Sequence, residues 1–140
     1  MKKLINISLI VTFIFTLTSC AQSKTKEGDT NTAQAKPTVE LISPADLNTK
    51  LGDIQLVDVR TPKEHAEGHV KGAQNINFFD TDFVEQMSKL DKNKEIYIYC
   101  KSGNRSGKAA KQLETAGFTK IFDLQGGMKN WAKNNLEVAK

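Results

Sequence analysis

Glu95-Ile-Tyr-Ile-Tyr99-Cys100-Lys-Ser-Gly-Asn-Arg105-Ser106 is the stretch on which the reading of this chain turns. After Glu95 it runs in β-branched and aromatic residues, a strand pattern. The pattern breaks at Ser102-Gly103-Asn104. Helical spacing then sets in near Arg105, with Ala109, Ala110, Leu113 and Ala116 on one face and Gly117 as the stop. Cys100 therefore stands where a strand hands over to a helix. A thiol there meets loop N–H groups, the cations Lys101 and Arg105, and a helix N-terminus, all of which favour the thiolate. A cysteine at a strand end is also often only a small buried hydrophobe. The neighbouring residues argue for more than that: Gly103 and Gly107 permit tight or positive-φ turns, and Ser102, Asn104 and Ser106 suit a helix start.

The same alternation extends in both directions from this stretch. Val39–Ile42 is a brief strand, and Ser43-Pro44 opens a helix with Ser43 as N-cap and Pro44 in the first turn. Gln55–Val59 is a second strand, followed by a helix start at Thr61-Pro62-Lys63-Glu64, where Glu64 completes a capping box. Ala73–Asn77 is a short strand and Asp82–Leu90 a helix. Lys120–Leu124 is the last strand, and a final helix carries Trp131. Alternating β and α predicts an α/β fold of three layers, a mostly parallel five-stranded sheet with helices on both faces. In such folds the site lies at the C-terminal ends of the strands, where Cys100 falls.

Upstream of residue 38 the chain changes character. Met1-Lys2-Lys3 precedes an apolar stretch from Leu4 to Thr18, which is shorter than the roughly 20 residues of a membrane span. Positive start, apolar run and small residues read as a secretory signal, with a short uncleaved anchor as the alternative. Leu17-Thr18-Ser19-Cys20 resembles a bacterial lipoprotein signal. That resemblance implies a signal peptide over residues 1–19, acylation of Cys20, and export to the periplasmic side of a bacterial envelope, with the membrane engaged only through lipid. Residues 20–37 are polar and read as a disordered tether to a domain spanning 38–140. With Cys20 acylated, Cys100 is the one remaining thiol, which excludes an internal disulfide. Removing residues 1–19, which hold Lys2 and Lys3 and no acid, lowers the formal charge from +4 to about +2. That balance, without a basic block bearing aromatics, argues against nucleic acid as a partner.

Four motifs stand in order along the domain. They are Asp58-Val-Arg60; Glu64 with Gly68-His69-Val70 and Gly72-Ala73-Gln-Asn75-Ile76; Cys100-x-x-Gly103-x-Arg105-Ser106; and Leu124-Gln-Gly126-Gly127 with Trp131 downstream. Together they resemble the rhodanese family of single-domain sulfurtransferases, from about Ile42 to Val138. His65 and Asn77 depart from the family pattern, outside the reactive loop. The resemblance implies that Cys100 takes the outer sulfur of thiosulfate or a similar small anion as a persulfide. It then passes that sulfur to cyanide or a thiol, with no metal or organic cofactor, in a monomer. It also assigns substrate contact to Lys101, Ser102, Gly103, Asn104, Arg105 and Ser106, with Lys101 and Arg105 steering the anion. Arg60 either lines the pocket or pairs with Asp58 to support the fold. His69 is chiefly structural, and Gly126-Gly127 turns beneath the active loop.

Three rivals follow from the same residues. A carrier would accept a persulfide from a partner and hand it on without turning over thiosulfate. A cysteine phosphatase or arsenate reductase needs five residues between cysteine and arginine, whereas four separate Cys100 from Arg105. A thiol oxidoreductase is disfavoured because no second cysteine completes a Cys-x-x-Cys.

Overall fold

The computed structural model describes residues 36–140. The expected signal segment 1–19, the lipidation site Cys20 and tether residues up to 35 lie outside them.

Strands and helices alternate along the domain. They are β1 (Thr38–Ile42), α1 (Pro44–Lys50), β2 (Gln55–Asp58), α2 (Pro62–Glu67), β3 (Gln74–Asn75), α3 (Phe83–Met87), β4 (Ile96–Tyr99), α4 (Asn104–Thr115), β5 (Lys120–Leu124) and α5 (Gly127–Lys133). The caps form as the sequence predicts. Ser43 Oγ accepts the Asp46 N–H, and Thr61 and Glu64 close a full capping box. Three elements are shorter than their patterns. The strand expected over 55–59 ends at Asp58, the strand expected over 73–77 pairs only at Gln74–Asn75, and the helix expected over 82–90 stops at Met87.

All five strands join one sheet in the order β1-β5-β4-β2-β3, and every ladder is parallel. Parallel neighbours need crossover connections, which places helices on both faces and buries the central strands completely. Ile96, Tyr97, Ile98 and Tyr99 of β4 are accordingly all buried. On one face Ile96, Ile98 and Ile121 pack against Phe83 and Met87 of α3 and Ala109, Ala110 and Leu113 of α4. On the other, Leu56, Tyr97, Tyr99 and Leu124 meet Leu47 of α1 and Trp131 of α5. β4 lies at the centre of the sheet, so its C-terminal end delivers Cys100 to the middle of the strand-end rim.

Candidate active site

β4 ends at Tyr99, and the chain turns through Cys100–Gly103 into α4. α4 begins at Asn104, one residue earlier than helical spacing indicates, and its N-cap is Gly103 rather than a hydroxyl residue. Gly103 has φ 100°, a left-handed conformation that a side chain would strain. No side chain caps this helix, so its first-turn N–H groups need another acceptor. Cys100 Sγ takes that place. The Gly103 N–H donates to it at 3.1 Å and the Ser106 hydroxyl approaches at 3.5 Å.

The sulfur thus replaces the oxygen of an ordinary cap, at the end of the helix where the dipole favours negative charge. Burial opposes ionisation of the thiol. It is outweighed by the Ser106 hydroxyl and the N–H groups of Ser106, Ser102 and Gly103, so the thiol lies below its usual range. Cys100 is both things the sequence allowed, 1 % exposed and held for the anion.

A second helix fixes the loop from below. The Met128 N–H donates to the Cys100 carbonyl at 2.9 Å and the Lys129 N–H to the Lys101 carbonyl at 3.0 Å. These are first-turn donors of α5, again uncapped by a side chain. The approach is close enough to require glycine at position 127, where φ is 58°. A Cβ there would collide with the Cys100 carbonyl oxygen and lie 2.9 Å from Lys101 C and Ser102 N. Gly126-Gly127 therefore makes the tight turn beneath the loop that the sequence suggests.

The charged residues divide in a way the sequence did not show. Lys101 is exposed on the loop, and no ion pair among the described residues engages it. Ser102 and Asn104 are also exposed, whereas Ser106 is buried beside the sulfur. Arg105 is committed elsewhere. Its guanidinium makes a two-pronged contact with Glu64 of α2, at 2.7 and 2.8 Å, and lies 5.7 Å from the centre of the Phe79 ring. Its charge still reaches the sulfur, since an ionised Cys100 raises its pKa, after the larger effect of Glu64.

Glu64 thus does more than complete the capping box. Its pairing with Arg105 spans 41 residues and has no local signature. The Arg105 hydrogen bonds, helped by Thr61 and opposed by burial, bring the Glu64 carboxyl from 4.5 to about 2. A carboxyl whose folded pKa is depressed contributes its full stabilisation above its unfolded pKa, and loses it as pH falls through the folded one. The two side chains are 17 % and 24 % exposed, so solvent screening holds that contribution to about 1 kcal/mol. Glu64→Gln should lower the unfolding free energy by about that amount at neutral pH, with the difference fading between pH 4.5 and about 2 in urea titrations. A difference that persists unchanged in acid would remove the ion pair as its cause.

Arg60, expected either to line the pocket or to support the fold, has its polar contacts in the second role. It is 5 % exposed; its Nε and Nη2 bond both oxygens of Asp58, and Nη2 also donates to the Gly68 carbonyl at 2.7 Å. His65 Nδ1 lies 3.0 Å from the same Asp58 carboxylate and its ring stacks on His69 at 3.8 Å. The His69 backbone pairs with Ala139, so both histidines tie the C-terminal end to α2. Asn75 closes the cluster by donating to the carbonyls of Asp58 and Arg60, each at 2.9 Å.

Comparison with known proteins agrees with this geometry. The rhodanese-like domain model matches residues 43–134, from the cap of α1 through α5. YqhL of Bacillus subtilis, an uncharacterized protein, is 40 % identical over 77 residues, 55 % of this chain and 60 % of that one. Thiosulfate sulfurtransferase 16, a chloroplastic protein of Arabidopsis thaliana, is 41 % identical over 90 residues, 57 % of this chain and 75 % of its own. The crystal structure of a rhodanese-related protein from Thermoplasma volcanium superposes with a TM-score of 0.64 at 29 % identity, over 71 % of this chain and 97 % of that one. Since the matched residues take in every strand but β1, along with the cysteine loop and the glycine turn that supports it, this chain belongs to the rhodanese-like domain family.

Proposed function

We propose that this protein is a thiosulfate sulfurtransferase that carries sulfur as a persulfide on Cys100. The observation that supports this most is the seating of Cys100 Sγ as acceptor at the uncapped N-terminus of α4. In the first half-reaction the thiolate attacks the outer sulfur of thiosulfate. The S–S bond of the donor breaks, sulfite leaves with its electron pair, and a persulfide anion remains on Cys100. In the second, cyanide or a thiolate attacks that outer sulfur and the Cys100 thiolate returns. Neither step changes the net oxidation state, so no redox partner is consumed.

The loop supplies charge stabilisation where it is needed. N–H groups that lower the thiol pKa also stabilise the persulfide anion, much as an oxyanion hole stabilises developing oxygen charge. Lys101, exposed and unpaired, is the steering cation; Arg105, held by Glu64, acts at longer range. Protein incubated with thiosulfate should gain the mass of one sulfur atom at Cys100, and cyanide should remove it with release of thiocyanate. Sustained turnover with both reagents separates an enzyme from a carrier that loads once. Absence of the adduct together with hydrolysis of an aryl phosphate would overturn the proposal in favour of a phosphatase.

A further inference from the structure

Among the described residues one aromatic side chain is exposed, and it stands on the rim that carries Cys100. Phe79 follows β3 and is 65 % exposed, whereas the other phenylalanines, the tyrosines and the tryptophan there are buried or half-buried. A closed turn fixes its place. The Phe79 N–H donates to Asn77 Oδ1 at 3.2 Å, the Asn77 amide donates to Asp80 Oδ1 at 2.6 Å, and the Asp80 N–H returns to the Asn77 carbonyl at 3.1 Å. The ring stands edge-on to Phe78, with centres 5.7 Å apart, and packs against the Arg105 guanidinium. Arg105 is clamped by Glu64, and the next residue, Ser106, holds its hydroxyl 3.5 Å from Cys100 Sγ. A single exposed apolar residue is ordinary on a protein surface. What sets Phe79 apart is that turn, cation and carboxylate together fix it beside the reactive thiol.

Backbone pairing measures the separation. The Phe78 N–H donates to the Val59 carbonyl and the Val59 N–H to the Tyr99 carbonyl, so the Phe79 turn lies two strand spacings, about 10 Å, from the end of β4. Thiosulfate and cyanide are too small to span that gap and have no apolar part. An extended polypeptide covers it in about three residues. Cys100 is 1 % exposed, and the outer sulfur of a persulfide projects only about 2 Å beyond Sγ. An acceptor thiol therefore gains from an anchor outside the loop. We propose that Phe79 is a specificity-determining residue: it selects, as acceptors of the Cys100 sulfur, polypeptide thiols with an apolar side chain about three residues from the reacting cysteine. This deepens the reading of Cys100 as the sulfur carrier and rests on it. The acceptor thiolate attacks the outer sulfur of the Cys100 persulfide. A new S–S bond forms to the acceptor as the bond to Cys100 Sγ breaks. The electron pair of the broken bond stays on Cys100 as the thiolate, and the acceptor leaves as a persulfide.

Two peptide acceptors test this, identical except for phenylalanine or glycine three positions before and after their one cysteine. With the protein loaded from thiosulfate, kcat/KM for the phenylalanine peptide should exceed that for the glycine peptide about tenfold, the scale of an aromatic contact. Phe79→Ser should shrink the ratio to below about twofold, and Phe79→Trp should restore it. Equal values for the two peptides with the unmutated protein would overturn the proposal, as would a preference that survives Phe79→Ser. A second measurement needs no sulfur donor. Each peptide is offered as its mixed disulfide with thionitrobenzoate; the Cys100 thiolate attacks the peptide sulfur, and the coloured thionitrobenzoate anion leaves with the electron pair. The same preference, lost in Phe79→Ser, is expected in the rate of colour release, and equal rates count against the anchor. Failure of the thiosulfate adduct to form would remove the sulfurtransferase reading, whereas colour release would still show whether Phe79 selects the peptide, so the two failures are distinguishable.

Discussion

Cys100→Ser should abolish sulfur transfer from thiosulfate to cyanide, a fall of at least about a thousandfold, while leaving the fold intact. The substitution changes little in shape. Serine keeps an acceptor for the Gly103 N–H and a donor in a site that is already hydrogen-bonded on two sides. Its chemistry is what fails. The loop lowers the pKa of a thiol that already ionises near physiological pH, with a reference value of about 8.5. An aliphatic hydroxyl lies far above that range, and the same few hydrogen bonds cannot bring it down. Nor can oxygen hold the transferred sulfur as a persulfide. Unchanged thermal unfolding with no thiocyanate formed is the expected pair of results. Retained turnover would mean that Cys100 is not the nucleophile.

Asp58→Ala should cost about 3–5 kcal/mol of stability, the scale for removing one member of a buried ion pair. Asp58 is fully buried, and its carboxylate accepts from Arg60 N, Nε and Nη2 and lies 3.0 Å from His65 Nδ1. Without it the Arg60 guanidinium, shielded from water, keeps the Gly68 carbonyl as its main partner. For a domain with the usual 5–15 kcal/mol, that is a large part of the total, and the melting temperature should fall by more than about 10 °C. Replacing Asp58 and Arg60 together by methionine should recover part of the loss, because no unpaired charge is then buried. A loss below about 1 kcal/mol for Asp58→Ala would show that the pair is solvated in practice.

Both effects start from residues that stand out in the sequence, but they were legible to different degrees. The alternation of elements could be read locally: Ser43-Pro44, Thr61 with Glu64, and the break after Tyr99 each act over a few residues. Cys100 could be singled out because strand end, glycines and hydroxyl residues converge on one loop. Arg105 was legible only in part. Its place in the motif suggested a cation that steers the anion, but not that its guanidinium is held by a carboxylate 41 residues away. Asp123 carried no signal at all, since an acidic residue in Lys120–Leu124 fits the exposed face of an edge strand equally well. Only the insertion of β5 between β1 and β4 makes it a buried group under α4.

The α/β alternation, the family, and the one loop in which a thiol could become an anion are all written locally in the chain, because propensity, capping and turn chemistry act between near neighbours. The tertiary structure decided what surrounds that thiol. Strand order placed β4 at the centre, folded α5 beneath the loop, paired Arg105 with Glu64, and buried Asp123 on β5. Each of those depends on residues distant in the chain being brought within hydrogen-bond range or into van der Waals contact. Such contacts are fixed by the packing of whole elements, and no local pattern encodes them.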